Sequence, residues 1–450
     1  DAREAAPNTL ISHIDLGLPG ALPVLNEAAV ELASRAAFAL NSVPAKFSKF
    51  DRKHYFYPDL PNGYQITQFD QPIVLGGHVD VVVEGQKKRI GVTRAHLEAD
   101  AGKSTHPAGA NYTLVDLNRA GTPLLEIVSE PDMHSGPEAK AYAHELYLLM
   151  RYADVSEANL YYGNMRFDVN VSVSKDSKLG TRTETKNLNS FKAVQGAVAY
   201  EIKRQIEVLE KGGTIVQETR GWEDTTQKTF SQRGKEDAHD YRYFPDPDLP
   251  PVVLDDAYIK KIKDSMPDMP DMLRDKLAHL KLDSSVIETL VDAMPAGRFI
   301  LSLLDEAKPE DMKRIANWLA SDVQALVAEE RVSWEAAVLE PEAFMLLSNL
   351  VDSAQISSTS AKLILAVLVE HGGDPMTIAK ERDLLQVSDE GEIEKIVQSV
   401  IAANPQAVED VRNGEMKAIG FLVGQIMKES KGKANPGMAQ TLIRKQLNAS

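Results

Sequence analysis

A proline-locked stretch, Phe244-Pro245-Asp246-Pro247-Asp248-Leu249-Pro250-Pro251, separates two unlike halves of this chain. Proline fixes φ and has no N–H to donate, so the backbone here is extended and no helix runs through it. The residues before it are rich in strand signals, glycine and turns. Those after it carry apolar stripes of helical period, in blocks of about 10–15 residues with short connectors. The stretch therefore reads as a domain edge. The expected fold class is α+β, with a β-rich domain over 1–255, an all-α domain over 256–390 and a small helical tail over 391–450.

Particular elements follow from the same patterns. His78 to Val83 alternates, Glu84-Gly85-Gln86 turns, and Arg89 to Glu98 runs back, which predicts a hairpin. Met165, Phe167, Val169, Val171 and Val173 alternate with polar residues and predict a half-buried strand, followed by a second over Thr181 to Asn187. A helix capped by Asn189 or Ser190 follows, with Val194, Val198, Ile202, Ile206 and Leu209 as its apolar stripe and Gly212-Gly213 as its end. Helices are also expected over Asn26 to Leu40 and Pro137 to Tyr152. Beyond the prolines they are expected over Asp311 to Val327, Ser360 to Glu370, Glu392 to Ala403, Ala418 to Glu429 and after Pro436. The chain runs from Asp1 straight into Pro7-Asn8-Thr9 and a Gly17-Leu18-Pro19-Gly20 turn, so a missing N-terminal piece is expected.

Composition excludes several classes. The chain has no cysteine, so disulfides, thiolate zinc sites and cysteine nucleophiles are out, and a cytoplasmic location fits. It has no apolar run of about 18 residues, so no membrane-spanning helix is expected. The net charge is -16, which by itself argues against nucleic acid. That charge is uneven. Ser321 to Val411 carries 17 acidic and 5 basic residues, whereas Arg412 to Ser450 carries 7 basic and 2 acidic. The basic tail is either a solvated helical surface or an RNA contact, and the clustering of Lys428, Lys431 and Lys433 at a helix end favours RNA.

Three constellations have chemical content. His96-Leu97-Glu98-Ala99-Asp100 closes a strand, and a period of two puts His96, Glu98 and Asp100 on one face. An imidazole and two carboxylates there suit a hard cation such as Mg2+, or else form a solvated polar row. Glu126 and Glu130 share a second strand face. In the Met165–Lys186 hairpin, Arg166, Asp168 and Asn170 lie opposite Arg182, Glu184 and Lys186, making either a surface ion-pair network or a ligand-facing floor for phosphates. Asp51 to Asp59 is basic and aromatic, fit for RNA or for an ordered loop with buried tyrosines. Asp100-Ala101-Gly102-Lys103-Ser104 is no P-loop, because the first glycine's place falls at Leu97. No dinucleotide fingerprint, nucleophile elbow or HExxH motif is present.

Long strings across the chain resemble the GatB family, the B subunits of glutamyl/aspartyl-tRNA amidotransferases. They are Lys49 to Lys53, Tyr55 to Ile73, His96 to His106, Val115 to Met133, Lys186 to Phe191, His239 to Pro251 and Phe421 to Pro436. The resemblance implies a cradle domain of glutamine-synthetase/creatine-kinase type, a helical domain and a YqeY-like tail. It implies ATP- and Mg2+-dependent phosphorylation of the side-chain carboxylate of Glu-tRNA(Gln) or Asp-tRNA(Asn), then amidation by ammonia. With no amidase Ser-Ser-Lys signature here, ammonia would come from a GatA-like glutaminase partner joined by a GatC-like subunit. An archaeal GatE-type insertion has no room. On this resemblance Glu98 and Asp100 are metal candidates with His96, and Glu126 and Glu130 stand in reserve. Lys53 is placed near the activated carboxyl or the ammonia route, with Glu98 and Asp100 as its catalytic companions. Arg166, Asp168, Arg182, Glu184 and Lys186 are placed at ATP, and Lys428, Lys431 and Lys433 at tRNA. The family normally opens with a Gly-Leu-Glu-Val-His segment whose Glu and His help bind metal, and it carries a second glutamate where this chain has Ala99. Two other readings remain: a non-catalytic tRNA-binding scaffold, and an ammonia ligase for a free carboxylate, which would not need the basic tail.

Overall fold

The structure, a computed structural model, describes residues 5–107, 109–234, 240–304, 306–386, 390–413, 415, 417–430 and 433–447. The chain divides into two compact units, Asp1–Pro270 and Asp271–Ser450. The first is β-rich and the second helical, an α+β architecture. No described helix is long and apolar enough to cross a membrane.

In chain order the first unit contains α1 (Glu27–Ala39), β1 (Phe47–Ser48), β2 (Asp51–His54), β3 (Tyr64–Thr67), β4 (Val74–Leu75), β5 (His78–Val83), β6 (Gln86–Ala99), β7 (Lys103–Thr105), β8 (Leu114–Asp116), β9 (Pro123–Ser129) and α2 (Gly136–Tyr152). It continues with β10 (Phe167–Val171), β11 (Thr183–Leu188), α3 (Phe191–Glu210), β12 (Glu218–Glu223), β13 (Lys228–Gly234), β14 (Phe244–Pro245), β15 (Val252–Val253) and α4 (Asp256–Asp264).

The spine is β6, 14 residues long. Its first half pairs with β5 and its second with β9. Glu84 and Gly85 both have positive φ, 51° and 78°, so the β5–β6 connection is a two-residue turn of the kind that matches strand twist. Strand pairing therefore begins at Gln86, earlier than the alternation suggests. The larger sheet runs β14-β2-β3-β6-β4, with β5 and β9 also on β6. Against it packs α1, whose cap Asn26 accepts from Ala28 and Ala29 N–H. The core holds Ala33, Ala36, Leu40, Ile73, Val79, Ile90, Ala95 and Leu97, each nearly or fully buried. Burying one Leu, Ile or Val side chain contributes about 1.5–3 kcal/mol.

The second sheet has the order β10-β11-β12-β13, with β11 and β12 parallel. Behind it lie α3, capped by Ser190, and α2. The two helices approach closely at Gly136, where a Cβ would sit 2.6 Å from the Gln195 carbonyl oxygen. The expected stripe on α3 is only partly right. Ile206 and Leu209 are 37% and 39% exposed, while the buried ridge is Ala193, Val194, Ala197, Glu201 and Gln205. Two polar residues occupy core positions because the sheet supplies their partners. Glu201 accepts from Thr183 Oγ1 at 2.7 Å and from Arg204 Nη2 at 2.7 Å, and its Oε1 lies 3.0 Å from Arg220 Nε.

Burial pushes the Glu201 carboxyl up, but hydrogen bonds from Arg204, Thr229 and Thr183 outweigh it and bring it down to about 2, from an ordinary 4.5. A depressed carboxylate pKa contributes stability that is full above the unfolded value and lost as pH falls through the folded one. Acid unfolding of the first unit between about pH 4.5 and 2 should therefore lose about 3 kcal/mol through this group. Comparing urea midpoints of E201Q and the wild type across that range checks it. Parallel curves would assign the acid loss to other groups.

The proline segment is not a free edge. Phe244 and Pro245 pair with Arg52 and Asp51 of β2, and Val252 and Val253 pair with β1. The extended backbone that proline imposes is used as sheet. The unit then continues past 255 because Tyr258 and Ile259 of α4 join the same core.

In the second unit the helix expected over Asp311 to Val327 runs without a gap, as Pro309–Asn317, a π-helical segment Trp318–Val323 and Gln324–Ala328, with αR backbone at each junction. Trp318, Leu319 and Val323 are buried in the π-helical segment. The other expected helices are Ser358–His371, Glu390–Ala403, Lys417–Glu429 and Pro436–Leu447. From Ile393 to Leu447 the helices enclose an apolar core of their own.

Candidate active site

One large cavity, about 2230 Å³, lies within the first unit. Lys53, Glu98, Asp100, Glu126, Glu130, Arg166, Asp168, Arg182, Glu184 and Lys186 all line it. Residues nominated from strands far apart in sequence thus face one space.

On the β6–β9 wall, His96 lies directly opposite Glu126, and Glu98 opposite Leu124. His96 Nε2 is 3.7 Å from Glu98 Oε2 and 3.8 Å from Glu126 Oε2. These three ligand atoms lie within 4.8 Å of one another. The gaps are too wide for hydrogen bonds. An imidazole nitrogen and two carboxylate oxygens at this spacing are able to hold a divalent cation. His96 and Glu98 are nearly buried, at 6% and 9%, and the Glu126 side chain is 53% exposed. The wall side is thus fixed and one side faces the cavity.

Asp100 and Glu130 stand outside that trio. The strand ends at Ala99, and Asp100 turns towards Arg119 Nε at 2.9 Å and Arg166 Nη2 at 3.3 Å. Burial pushes its carboxyl above the usual range, against the pull of Arg119 and Arg166. Glu130, past the end of β9, accepts from Thr93 Oγ1 at 2.8 Å.

The second sheet forms the cavity floor. Asn170 pairs with Glu184, and their neighbours Val171 and Thr183 pair behind them, so Asp168, Asn170, Glu184 and Lys186 share a face. Lys186 Nζ lies 3.6 Å from Glu184 and 3.8 Å from Asp168. Arg182, just before β11, is exposed. Arg166, just before β10, is held by Asp100.

Lys53 on β2 has no carboxylate partner among the described residues; its ammonium sits 4.9 Å from the Tyr241 ring centre and 5.8 Å from that of Tyr55. Around it runs an aromatic collar in which Tyr55 meets Tyr241 and Tyr57 edge-on and Tyr243 stacks on Phe69 at 3.9 Å. Burial pushes the Tyr55 hydroxyl up to about 12, with the nearby Glu98 and Asp59 charges acting the same way. Arg119, Tyr241 and Tyr243 lie within the resembling strings Val115 to Met133 and His239 to Pro251, but the sequence predicts no role for them, because they stand on loops, where no periodicity marks a facing direction.

In the second unit, Lys428 is exposed near its helix end, whereas Lys433 is ion-paired with Asp383. Lys431 lies outside the described residues.

The chain resembles known proteins along nearly its whole length. A family model described as the GatB/GatE catalytic domain matches residues 1–260, and one described as a GatB domain matches 301–447. The B subunit of the aspartyl/glutamyl-tRNA(Asn/Gln) amidotransferase of Carboxydothermus hydrogenoformans is 45% identical over 98% of this chain and 92% of its own. Its namesake in Geobacillus thermodenitrificans is 46% identical over 99% of this chain and 93% of its own. That of Caldicellulosiruptor bescii is 45% identical over 98% and 93%. Matches that span both units at this identity place the chain in the GatB family, the B subunits of the aspartyl/glutamyl-tRNA(Asn/Gln) amidotransferases.

Proposed function

We propose that this chain activates the side-chain carboxylate of Glu on tRNA(Gln), or of Asp on tRNA(Asn), with ATP and directs its amidation by ammonia. A carboxylate is a poor electrophile. Its oxygen attacks the γ-phosphorus and ADP leaves; ammonia then adds to the carbonyl carbon, phosphate departs and the nitrogen loses a proton. The observation that carries this reading is one cavity lined by a carboxylate cluster beside His96 on one wall and a row of cations on the other. The names of the relatives state the same substrates.

His96, Glu98 and Glu126 would hold Mg2+, which when bound neutralises phosphate charge. Asp100 and Glu130 stay on the same lining as supporting carboxylates; Asp100 holds Arg166 in place for the phosphates. Arg166, Arg182 and Lys186 receive phosphate oxygens, and Asp168 and Glu184 keep Lys186 aligned. Lys53 faces the activated carboxyl, where a cation opposes the charge that builds on its oxygens. We read the chain as a cradle domain over 1–255 that α4 extends to Pro270, a helical domain over the rest of 256–390 and a tRNA-contacting tail over 391–450, the last supported by its separate core. Lys428, Lys433 and Lys431 are the tail's phosphate contacts. A GatA-like glutaminase and a GatC-like protein complete the enzyme, which works in the cytoplasm.

The test is to assemble the chain with GatA-like and GatC-like partners and supply Glu-tRNA(Gln), glutamine, ATP and Mg2+. Gln-tRNA(Gln) is expected, and its formation should stop without ATP. No amide on either Glu-tRNA(Gln) or Asp-tRNA(Asn) would overturn the reading.

A further inference from the structure

Behind the cavity floor, Glu201 and Gln205 lie one helical turn apart on α3, both fully buried. Their hydrogen bonds reach every strand of the second sheet. Gln205 Nε2 donates to the Val171 carbonyl of β10 at 2.9 Å and to Thr183 Oγ1 of β11 at 3.0 Å. Glu201 accepts from Thr183 Oγ1 at 2.7 Å and from Thr229 Oγ1 of β13, and it pairs with Arg220 Nε of β12 at 3.0 Å. Arg220 in turn donates to Thr229 Oγ1 at 2.9 Å and pairs with Glu218. Arg204 closes the ring from the same helix, with Nε at 2.9 Å and Nη2 at 2.7 Å from the Glu201 oxygens.

The opposite side of these strands carries the cavity's polar lining: Asp168 and Asn170 on β10, Glu184 and Lys186 on β11, Thr219 on β12 and Gln232 on β13. Thr183 sits between Arg182 and Glu184, so a shift of its hydroxyl moves both neighbours. A parallel β11–β12 pair registered at only Glu184–Thr219 and Thr185–Arg220 has little ladder of its own to hold that spacing. The buried carboxylate supplies the restraint. Gln205 Oε1 has no hydrogen-bond partner, so the restraint comes from the Glu201 carboxylate, both of whose oxygens accept, and from Gln205 Nε2, which donates to two strands.

We infer that Glu201 and Gln205 are positioning residues, a clasp that fixes the spacing of the floor's cations and carboxylates for the triphosphate of the nucleotide. This rests on the proposed ATP-dependent function. Neither residue touches the cavity; both act through Thr183, Arg220 and Thr229.

In the assembled enzyme, E201Q is expected to raise KM for ATP by about tenfold, while kcat and KM for the aminoacyl-tRNA stay within about twofold. T229V removes the β13 arm and the acceptor of Arg220 Nε, leaves the Thr183, Arg204 and Gln205 bonds in place, and should raise KM for ATP by about threefold; it carries the test where E201Q does not fold. Hydrogen exchange on the full chain should accelerate in both variants over Phe167–Val171 and Thr183–Leu188 and stay unchanged over Gln86–Ala99. A KM for ATP equal to that of the wild type despite faster exchange overturns the inference. So does a fall in kcat matching the loss of folded protein, which marks a purely structural role. If the wild-type enzyme needs no ATP, the proposed function fails instead, and the exchange pattern alone decides: unchanged floor amides overturn the clasp, and selectively faster ones support it.

Discussion

Replacing Glu98 with alanine is expected to lower ATP-dependent carboxylate activation by about a thousandfold or more, with tRNA affinity kept within about threefold. Glu98 is nearly buried on β6, with Thr67 Oγ1 at 3.4 Å and His96 Nε2 at 3.7 Å. Its removal leaves one imidazole and the exposed Glu126, too few ligands to hold a hard cation against water. Without that charge the phosphoryl oxygens have only the floor cations to meet them. The tail lysines proposed to meet tRNA are untouched, so tRNA docking should persist. The readouts are aminoacyl-tRNA-dependent ADP release and tRNA binding at fixed salt. Unchanged ADP release would take Glu98 out of the metal site. A parallel loss of tRNA affinity would point to misfolding rather than chemistry. D100N makes the useful contrast. It should raise KM for ATP through a loosened Arg166 and leave metal affinity intact.

The second large effect is on stability. Removing the Arg52 side chain with R52A is expected to destabilise the first unit by about 3–5 kcal/mol. Arg52 forks onto Asp246 and Asp248, each at 2.9 Å, and lies 4.2 Å from the Tyr64 ring centre. The Asp246 side chain is fully buried. Deleting its cation strands a carboxylate out of water, a larger effect than the loss of a surface pair. The β14 strand is tied to β2 through the Arg52–Phe244 pairing, so its detachment should also disturb Tyr241 beside Lys53 and Tyr243, which meets Tyr241 edge-on. R52K keeps the charge but not the fork and should recover only part of the loss. Urea midpoints at constant slope measure both variants. A change for R52A below about 1 kcal/mol would mean that the prolines alone hold the strap.

Much of the architecture was legible because it depends on local pattern. Alternation identified β5, β6, β10 and β11, a cap at Asn189 or Ser190 placed the start of α3, and the ranges expected for α1 and α2 hold within a residue or two. Two features were not legible for a shared reason. The buried ridge of α3 contains Glu201 and Gln205, which any hydrophobic template assigns to solvent. The proline segment looked like a boundary, yet it supplies a strand and the buried Asp246. In both cases the partners lie far away in sequence: Thr183 and Arg220 for one, Arg52 for the other. Periodicity carries no information about them.

The candidate site divides in the same way. From sequence alone came the residue types, the shared face of His96 and Glu98, the mixed-charge hairpin and the switch from strand to helix after the prolines. Each of these needs only the period of a strand or the dihedral limits of a residue. Tertiary structure alone decided which carboxylates meet. It set Glu126 opposite His96 through the β6–β9 register and gave Asp100 to Arg119 and Arg166 instead of the trio. It also set the second sheet as a floor within the same cavity. Strand register and sheet order are fixed by the packing of whole apolar faces, so they belong to the assembled core rather than to any one segment.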